Sequence, residues 1–389
     1  MRRILATVLL ACAPIAAADT SIPFILVANH IYFRVSVNDH PASSFLLDTG
    51  AGASAIDRDH AQKLDLSFSG HGKAHGSGEK TVEIQLVARP TVSFGDENVQ
   101  LQYLAAVPLT DLGLRDGRPM QGVFGFDVLS RYTVTIDYAH RTLHFEDPQQ
   151  FRMPKNAVVL PLRFVSKTPV VRGVIATADG RRFPIDMLVD TGGRGAIRLN
   201  TRFVKKQALE KSITNRLQGP LGIGVGGTTT DTIARIASVE LAGFVMATPV
   251  ASFASAKAGT DAETEFQAQL GGEILRRFTL IIDYARQRFL LIPNTAFNEP
   301  FEYDMSGLLL DSHNATFRHI VVGNVIPASP AAEAGIAVGD EIQSIDDSLA
   351  SAIGLNDIRI LLTRPGTHKM TILRGTRKID VTLVARRLI

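Results

Sequence analysis

Apolar and polar positions alternate with a period near two along HIYFRVSV (His30–Val37), KTVEIQLVARPTVSF (Lys80–Phe94) and YTVTIDY (Tyr132–Tyr138), all rich in Val, Ile, Thr and Tyr. The pattern predicts half-buried strands, with Gly, Pro, Asn and Asp marking the turns between them. Two short segments, FDVLSRY from Phe126 and EILRRF from Glu273, predict one or two helical turns feeding a final strand. Beyond Pro293 the character changes. PNTAFNEPFEY reads as a linker, and SPAAEAGI opens a helix with Ser329 as cap and Pro330 at its first position. Ile358, Leu361 and Leu362 recur at helical spacing, and His368–Val384 predicts a hairpin turning near Arg374-Gly375.

The strand-rich region repeats. FLLDTGAGAS (Phe45–Ser54) has a second copy in MLVDTGGRGAIRLN (Met187–Asn200). Each is followed, at nearly the same interval, by a second signature: GVFGFDVLSRYTVTIDYAHRTLHF from Gly122 and QLGGEILRRFTLIIDYARQRFLLI from Gln269. Two collinear signatures indicate a duplicated unit. The expected organisation is a leader over 1–18, a first half over 19–150, a second half over 151–293 and a small α+β module over 301–389, with EDPQQFRMPKNAV as the polar connection between halves.

Composition refines this picture. The chain has 389 residues, 45% of them hydrophobic, which suits two or three domains with real cores. Arg2 and Arg3, an apolar run and Ala16-Ala17-Ala18 follow the order of a secretory signal cleaved before Asp19, so export to a periplasm or outside the cell is expected. That apolar run is too short to span a membrane, and nothing later resembles a span. Leu9-Leu10-Ala11-Cys12 loosely resembles a lipoprotein processing site, a weaker alternative because it leaves so short an apolar region. Cys12 is the only cysteine, so the mature chain is expected to hold together without disulfides. A formal charge of +3, with the basic residues scattered, argues against a dedicated nucleic-acid binder.

The chemistry concentrates at the repeated Asp-Thr-Gly. If each copy ends a strand in a tight turn and the halves pack about a pseudo-twofold axis, Asp48 and Asp190 meet at that axis. Two adjacent carboxylates share one proton and titrate as a unit, so one is a base and the other an acid at the same pH. Water-driven amide hydrolysis needs that division of labour, with no metal, cofactor or covalent intermediate. Thr49 and Thr191 would tie the turns together, while Gly50 and Gly192 let backbone approach the carboxylates.

Three other features have plainer readings. GIGVGG (Gly222–Gly227) formally fits a dinucleotide fingerprint, but no helix follows it. His71 and His75 lie on a glycine-rich loop without a third ligand and read as exposed. Asp137-Tyr138 and Asp283-Tyr284 read as strand-end pairing residues.

The two halves resemble retropepsin-like aspartic proteases fused into one chain, each with apolar-apolar-Asp-Thr-Gly and a later apolar-apolar-Gly element. Val123-Phe124-Gly125 fits that element closely and Gln269-Leu270-Gly271 less so. The resemblance implies two β-barrel halves related by a pseudo-twofold, Asp48 and Asp190 as the catalytic pair, and a polypeptide substrate. It also implies mobile flaps over the cleft, for which FSGHGKAHGSGEKTVEIQ and QGPLGIGVGGTTTDTIARI are the candidates. The second copy departs from the pattern: Gly193-Arg194-Gly195 replaces Ala51-Gly52-Ala53, and Ala196 stands where the first copy has Ser54. An Arg194 beside the pair would depress its pKa.

The C-terminal module resembles a bacterial PDZ domain through Gly307-Leu308-Leu309-Leu310, Ser329-Pro330, Ala334-Gly335 and Gly339-Asp340. This implies that amides of the Gly307, Leu308, Leu309 and Leu310 loop receive a peptide C-terminus, with the peptide adding a strand beside the second helix. Two functions follow: an exported aspartic endopeptidase whose PDZ-like domain delivers or gates substrate, or a peptide-binding protein on a protease fold that does not hydrolyse.

Overall fold

The computed structural model describes residues 21–389 apart from 77, 214, 260, 261, 263 and 264. The expected leader, with Cys12, lies outside the described residues.

The chain is mainly β, and the duplication read from the sequence is a duplication of topology. The first half's sheet runs in the order Phe68–Ala74, Val82–Ala88, Tyr103–Val107, Ala55–Asp57, Gly122–Phe124, Ser43–Leu47, His30–Val37, Thr91–Phe94, Glu97–Gln100. The second runs Leu217–Gly224, Gly227–Arg235, Val250–Ala254, Ile197–Leu199, Ala268–Leu270, Arg182–Val189, Thr168–Ala176, Ser238–Leu241, Phe244–Ala247, strand for strand the same. In both, the strand entering Asp-Thr-Gly lies parallel to the strand of the later signature: Leu46 pairs with Val123, and Leu188 with Gln269. Such a parallel pair needs a long crossover, which is why the two signatures lie far apart in sequence.

The final strands of the halves join them. Thr133–Asp137 pairs antiparallel with Phe278–Asp283, Thr135 opposite Ile281, at the centre of a six-stranded sheet. The recurring Ile-Asp-Tyr segments belong to this shared sheet, with Asp137 bonded to His140 and Asp283 to Arg286 and Arg288. One hydrophobic core runs through both halves, from Ile31, Phe33 and Phe124 to Val189, Leu270 and Phe278.

The C-terminal domain has its own core around Leu310, Ile320, Ile345, Ile358 and Met370 and its own sheet. The segment expected as a linker is pinned. Arg277 is fully buried, donates to the carbonyls of Ala296, Phe297, Glu299 and Pro300, and lies 3.6 Å above the Phe301 ring. A guanidinium carries enough donors to satisfy several main-chain carbonyls at once, so a polar stretch becomes ordered without regular structure. Among the described residues no helix is long and apolar enough to cross a membrane.

Candidate active site

Each Asp-Thr-Gly turn leaves a strand at the seam between halves. The Asp48 amide donates to Phe124 O and the Asp190 amide to Leu270 O, both at 3.0 Å, so the parallel pairing continues to the aspartates themselves. The threonines then cross. Thr49 Oγ1 donates to Val189 O at 2.5 Å and Thr191 Oγ1 to Leu47 O at 2.8 Å, while each hydroxyl accepts the other threonine's amide at 3.0 Å. These four reciprocal bonds are buried, with Thr49 and Thr191 almost wholly out of solvent. Deleting one partner, which leaves the other buried and unsatisfied, costs about 1–3 kcal/mol for each bond.

That cross-bracing brings the carboxyls together. Asp48 Oδ1 accepts the amides of Gly50 (2.8 Å) and Ala51 (3.1 Å), and Asp190 Oδ1 accepts that of Gly192 (2.9 Å). Each carboxyl also lies over the other turn's glycine. A Cβ on Gly192 would sit 2.5 Å from the Asp48 carboxyl carbon, and one on Gly50 would sit 2.8 Å from Asp190 Oδ1 and 3.2 Å from Asp48 Oδ1. Side chains at these positions would push the pair apart, so both glycines are required by close approach. Burial pushes the Asp48 carboxyl up from its ordinary value, against the Gly50 amide, the charge of His30, the Ala51 amide and a hydrogen bond with Asp190.

The halves brace their turns differently. In the first, Ser54 Oγ donates to Asp127 (2.6 Å) and accepts the Gly125 amide (2.9 Å). In the second, Ala196 has no hydroxyl and Glu273 turns away to Asn29 Nδ2 (2.8 Å) and the two arginines that follow it. Asn29 also donates to Arg194 O at 3.0 Å, so the first half holds the second half's turn.

Arg194, expected beside the pair, points its guanidinium at Asp116 (3.6 Å), and His30 is among the neighbours that lower Asp48. His30 Nε2 meets Gly192 O at 2.8 Å, and its Nδ1 meets Asp116 Oδ2 at 2.5 Å. Tyr32 donates to the same oxygen at 2.5 Å. Sequence reasoning passed over His30, Tyr32, Asn29 and Asp116. The one available sign was that His30 and Tyr32 alternate onto the same face of a strand.

Both flap candidates are hairpins: Phe68–Ala74 with Val82–Ala88, and Leu217–Gly224 with Gly227–Arg235. Their tips bond to each other, Gly78 N–H to Val225 O at 3.0 Å and Lys80 N–H to Gly226 O at 3.1 Å. The GIGVGG run lies in this second hairpin. His71 is strand-borne and exposed, and His75 contacts Thr81. Among the described residues no group of three or more His, Cys, Asp or Glu is placed to hold a metal.

In the C-terminal domain, two of the amides expected to receive a peptide carboxylate have internal partners. Gly307 N–H donates to Asp304 Oδ1 (2.5 Å) and Leu308 N–H to Ser306 Oγ (3.0 Å). Leu309 and Leu310 pair with Asn324 and Val322, and Leu310 O accepts from Arg359. A helix of the first half, Thr110–Asp116, lies against this strand, with Arg115 3.5 Å from Asp311. A peptide carboxylate reaches the Gly307 amide only by replacing Asp304.

No curated protein matches the chain. Residues 33–128 match the family model described as aspartyl protease, the span that carries Asp48, the first flap candidate and Gly125. Residues 306–373 match the PDZ domain model. The chain therefore joins an aspartyl protease domain to a C-terminal PDZ domain.

Proposed function

We propose that the protein is an aspartic endopeptidase in which Asp48 and Asp190 share one proton and activate a water against a peptide bond. The observation that carries this reading is the mutual placement of the two carboxyls, each lying over the other turn's glycine and braced by Thr49 and Thr191. The ionised member takes a proton from water as it attacks the carbonyl carbon. The protonated member donates to the carbonyl oxygen, giving a tetrahedral diol, and collapse of the diol passes a proton to the departing amine. The flap backbone, with Gly78 and Gly226 at the tips, would pair with an extended substrate. The PDZ domain would take a peptide C-terminus, whose carboxylate replaces that of Asp304. Export through residues 1–18, to a periplasm or the exterior, belongs to the same proposal.

Asp48→Asn and Asp190→Ala should each lower kcat/KM on an unstructured polypeptide at least about a thousand-fold, within the range of acid–base catalysis. Circular dichroism checks that the fold is kept. Full activity in either variant defeats the reading. The second reading, peptide binding without hydrolysis, draws on the loss of the Ser54–Asp127 brace in the second half. Saturable peptide binding with no turnover from acid to neutral pH would establish it.

A further inference from the structure

We propose that His30 is a positioning residue for the aspartate pair, held as an imidazolium between Asp116 and the Gly192 carbonyl. There it fixes the second turn and keeps a buried positive charge beside Asp48. The inference rests on the catalytic reading above.

The argument begins with hydrogen-bond capacity. His30 is 7% exposed, and both ring nitrogens face oxygens. Gly192 O only accepts, so Nε2 carries a proton. Nδ1 faces Asp116 Oδ2, and the remaining issue is which of the two holds the second proton. Asp116 is itself 3% exposed, accepts Tyr32 Oη–H on that same oxygen and faces Arg194 with the other. A carboxyl surrounded by a phenol donor, a guanidinium and a ring N–H is stable as the anion, which leaves the proton on His30. Burial alone would raise Asp116, but the His30 charge and bond, Arg194 and Tyr32 outweigh it and hold the carboxyl well below the usual range.

The groups around this cluster come from every side. Tyr32 and Asp48 belong to the first half, Asp190 and Arg194 to the second turn, and Arg118 lies 4.3 Å above the Tyr32 ring. Arg359 approaches from the PDZ domain, its guanidinium pushed down to about 9 by burial and by the like charge of Arg194, against Asp116 and Asp311. Tyr284 faces Asp48 from the shared sheet. His30 bonds the second Asp-Thr-Gly turn and also lowers Asp48 through its charge. A cation next to a carboxyl favours the anion, so removing it raises the pH at which the first member of the pair ionises.

The test follows the aspartate pair directly, by carbon NMR of Asp carboxyl-labelled full-length protein titrated from pH 2 to 8, with Asp48→Asn to assign the signals. His30→Gln should move the Asp48 titration upward by about 0.5–1 unit, while His30→Lys keeps the charge and should stay near the wild type. The acid limb of the kcat/KM profile should move with it. An unchanged titration in His30→Gln overturns the proposal, whether or not the protein hydrolyses peptides. An upward shift in a protein that cleaves nothing sustains the role of His30 and defeats the catalytic reading instead. If His30→Gln does not fold, Asp116→Asn, which removes the counter-ion and keeps the ring, serves as the second variant, and an unmoved titration there also counts against the proposal.

Discussion

Single residues decide how close two carboxyls can come. Gly50 and Gly192 are required because neighbouring acid groups occupy the space a Cβ would take. Asp304 shows the same economy of space in the PDZ domain, where one half-buried carboxyl accepts the Ser306 and Gly307 amides and the Ser306 hydroxyl. Burial pushes it up to about 6 despite those donors. The folded chain thus binds this proton more tightly than the unfolded chain, whose carboxyl titrates near 3.8. Its contribution to stability is full below about pH 4 and is lost as pH rises through 6. At 1.36 kcal/mol per unit that loss is up to about 3 kcal/mol. Asp304→Asn should flatten the pH dependence of urea unfolding between pH 4 and 7 by that order, and equal slopes in both proteins would refute the assignment.

At the scale of elements, the two halves share a topology but differ in chemistry. Val123 and Gln269 occupy one register, as do the residues paired with them, Ala55 and Arg198. The first half therefore presents an apolar surface with Leu46, Ala105 and Leu86, while the second presents Arg198 bonded to Asp231, Ser252 and Thr229. This half-buried arginine is tolerated because Asp231, Ser252 and Thr229 all accept from it, the two hydroxyls donating in turn to Asp231. The two candidate flap hairpins bond tip to tip through main chain, with Val225 packed beside Ile84 and Leu86, and at Gly78 a Cβ would lie 2.1 Å from Gly226 C. Gly78→Ala should keep the hairpin and separate the tips, raising KM for polypeptide several-fold with the unfolding midpoint unchanged. Steady-state kinetics beside thermal melts check this.

For the whole molecule, the organising fact is that the PDZ domain is packed onto the two duplicated halves rather than tethered to them. Ile326 and Ile389 join Leu217 and Ile233 of the second half in one apolar cluster. On the first half, the Ala28 amide donates to Asn356 at 3.0 Å, and a Cβ on Gly117 would meet Leu355 at 2.9 Å. Arg277 fixes the connection between them. Arg277→Met leaves the carbonyls of Ala296, Phe297, Glu299 and Pro300 without their guanidinium donor while Glu273 keeps Asn29 and Arg276, and leaving a hydrogen-bonding group inside the protein without its partner costs about 1–3 kcal/mol. The expected result is a lower unfolding midpoint and rapid limited proteolysis between Ala296 and Phe301, read by mass spectrometry of the fragments. Resistance equal to wild type would show that the surface packing alone holds the domain.

Much of this was legible in order along the chain. The two Asp-Thr-Gly turns, the distal signatures, the hairpins and the PDZ segment are local patterns, and local patterns are set by strand periodicity and turn chemistry that short stretches carry in full. The pairing of Asp48 with Asp190 was legible because duplication implies an axis. Contacts that cross between elements far apart in sequence were not legible. In the sequence His30 entered as the start of a predicted strand, Arg277 within the short EILRRF segment and Asp304 near the start of the C-terminal module, while nothing singled out Asp116. What each does depends on burial and on which acceptors surround it, and these exist only once the halves and the PDZ domain have packed. The sequence by itself determined that two aspartates would meet; the tertiary structure decided the field in which they meet, because charge in a protein interior is governed by neighbours that no spacing rule brings together.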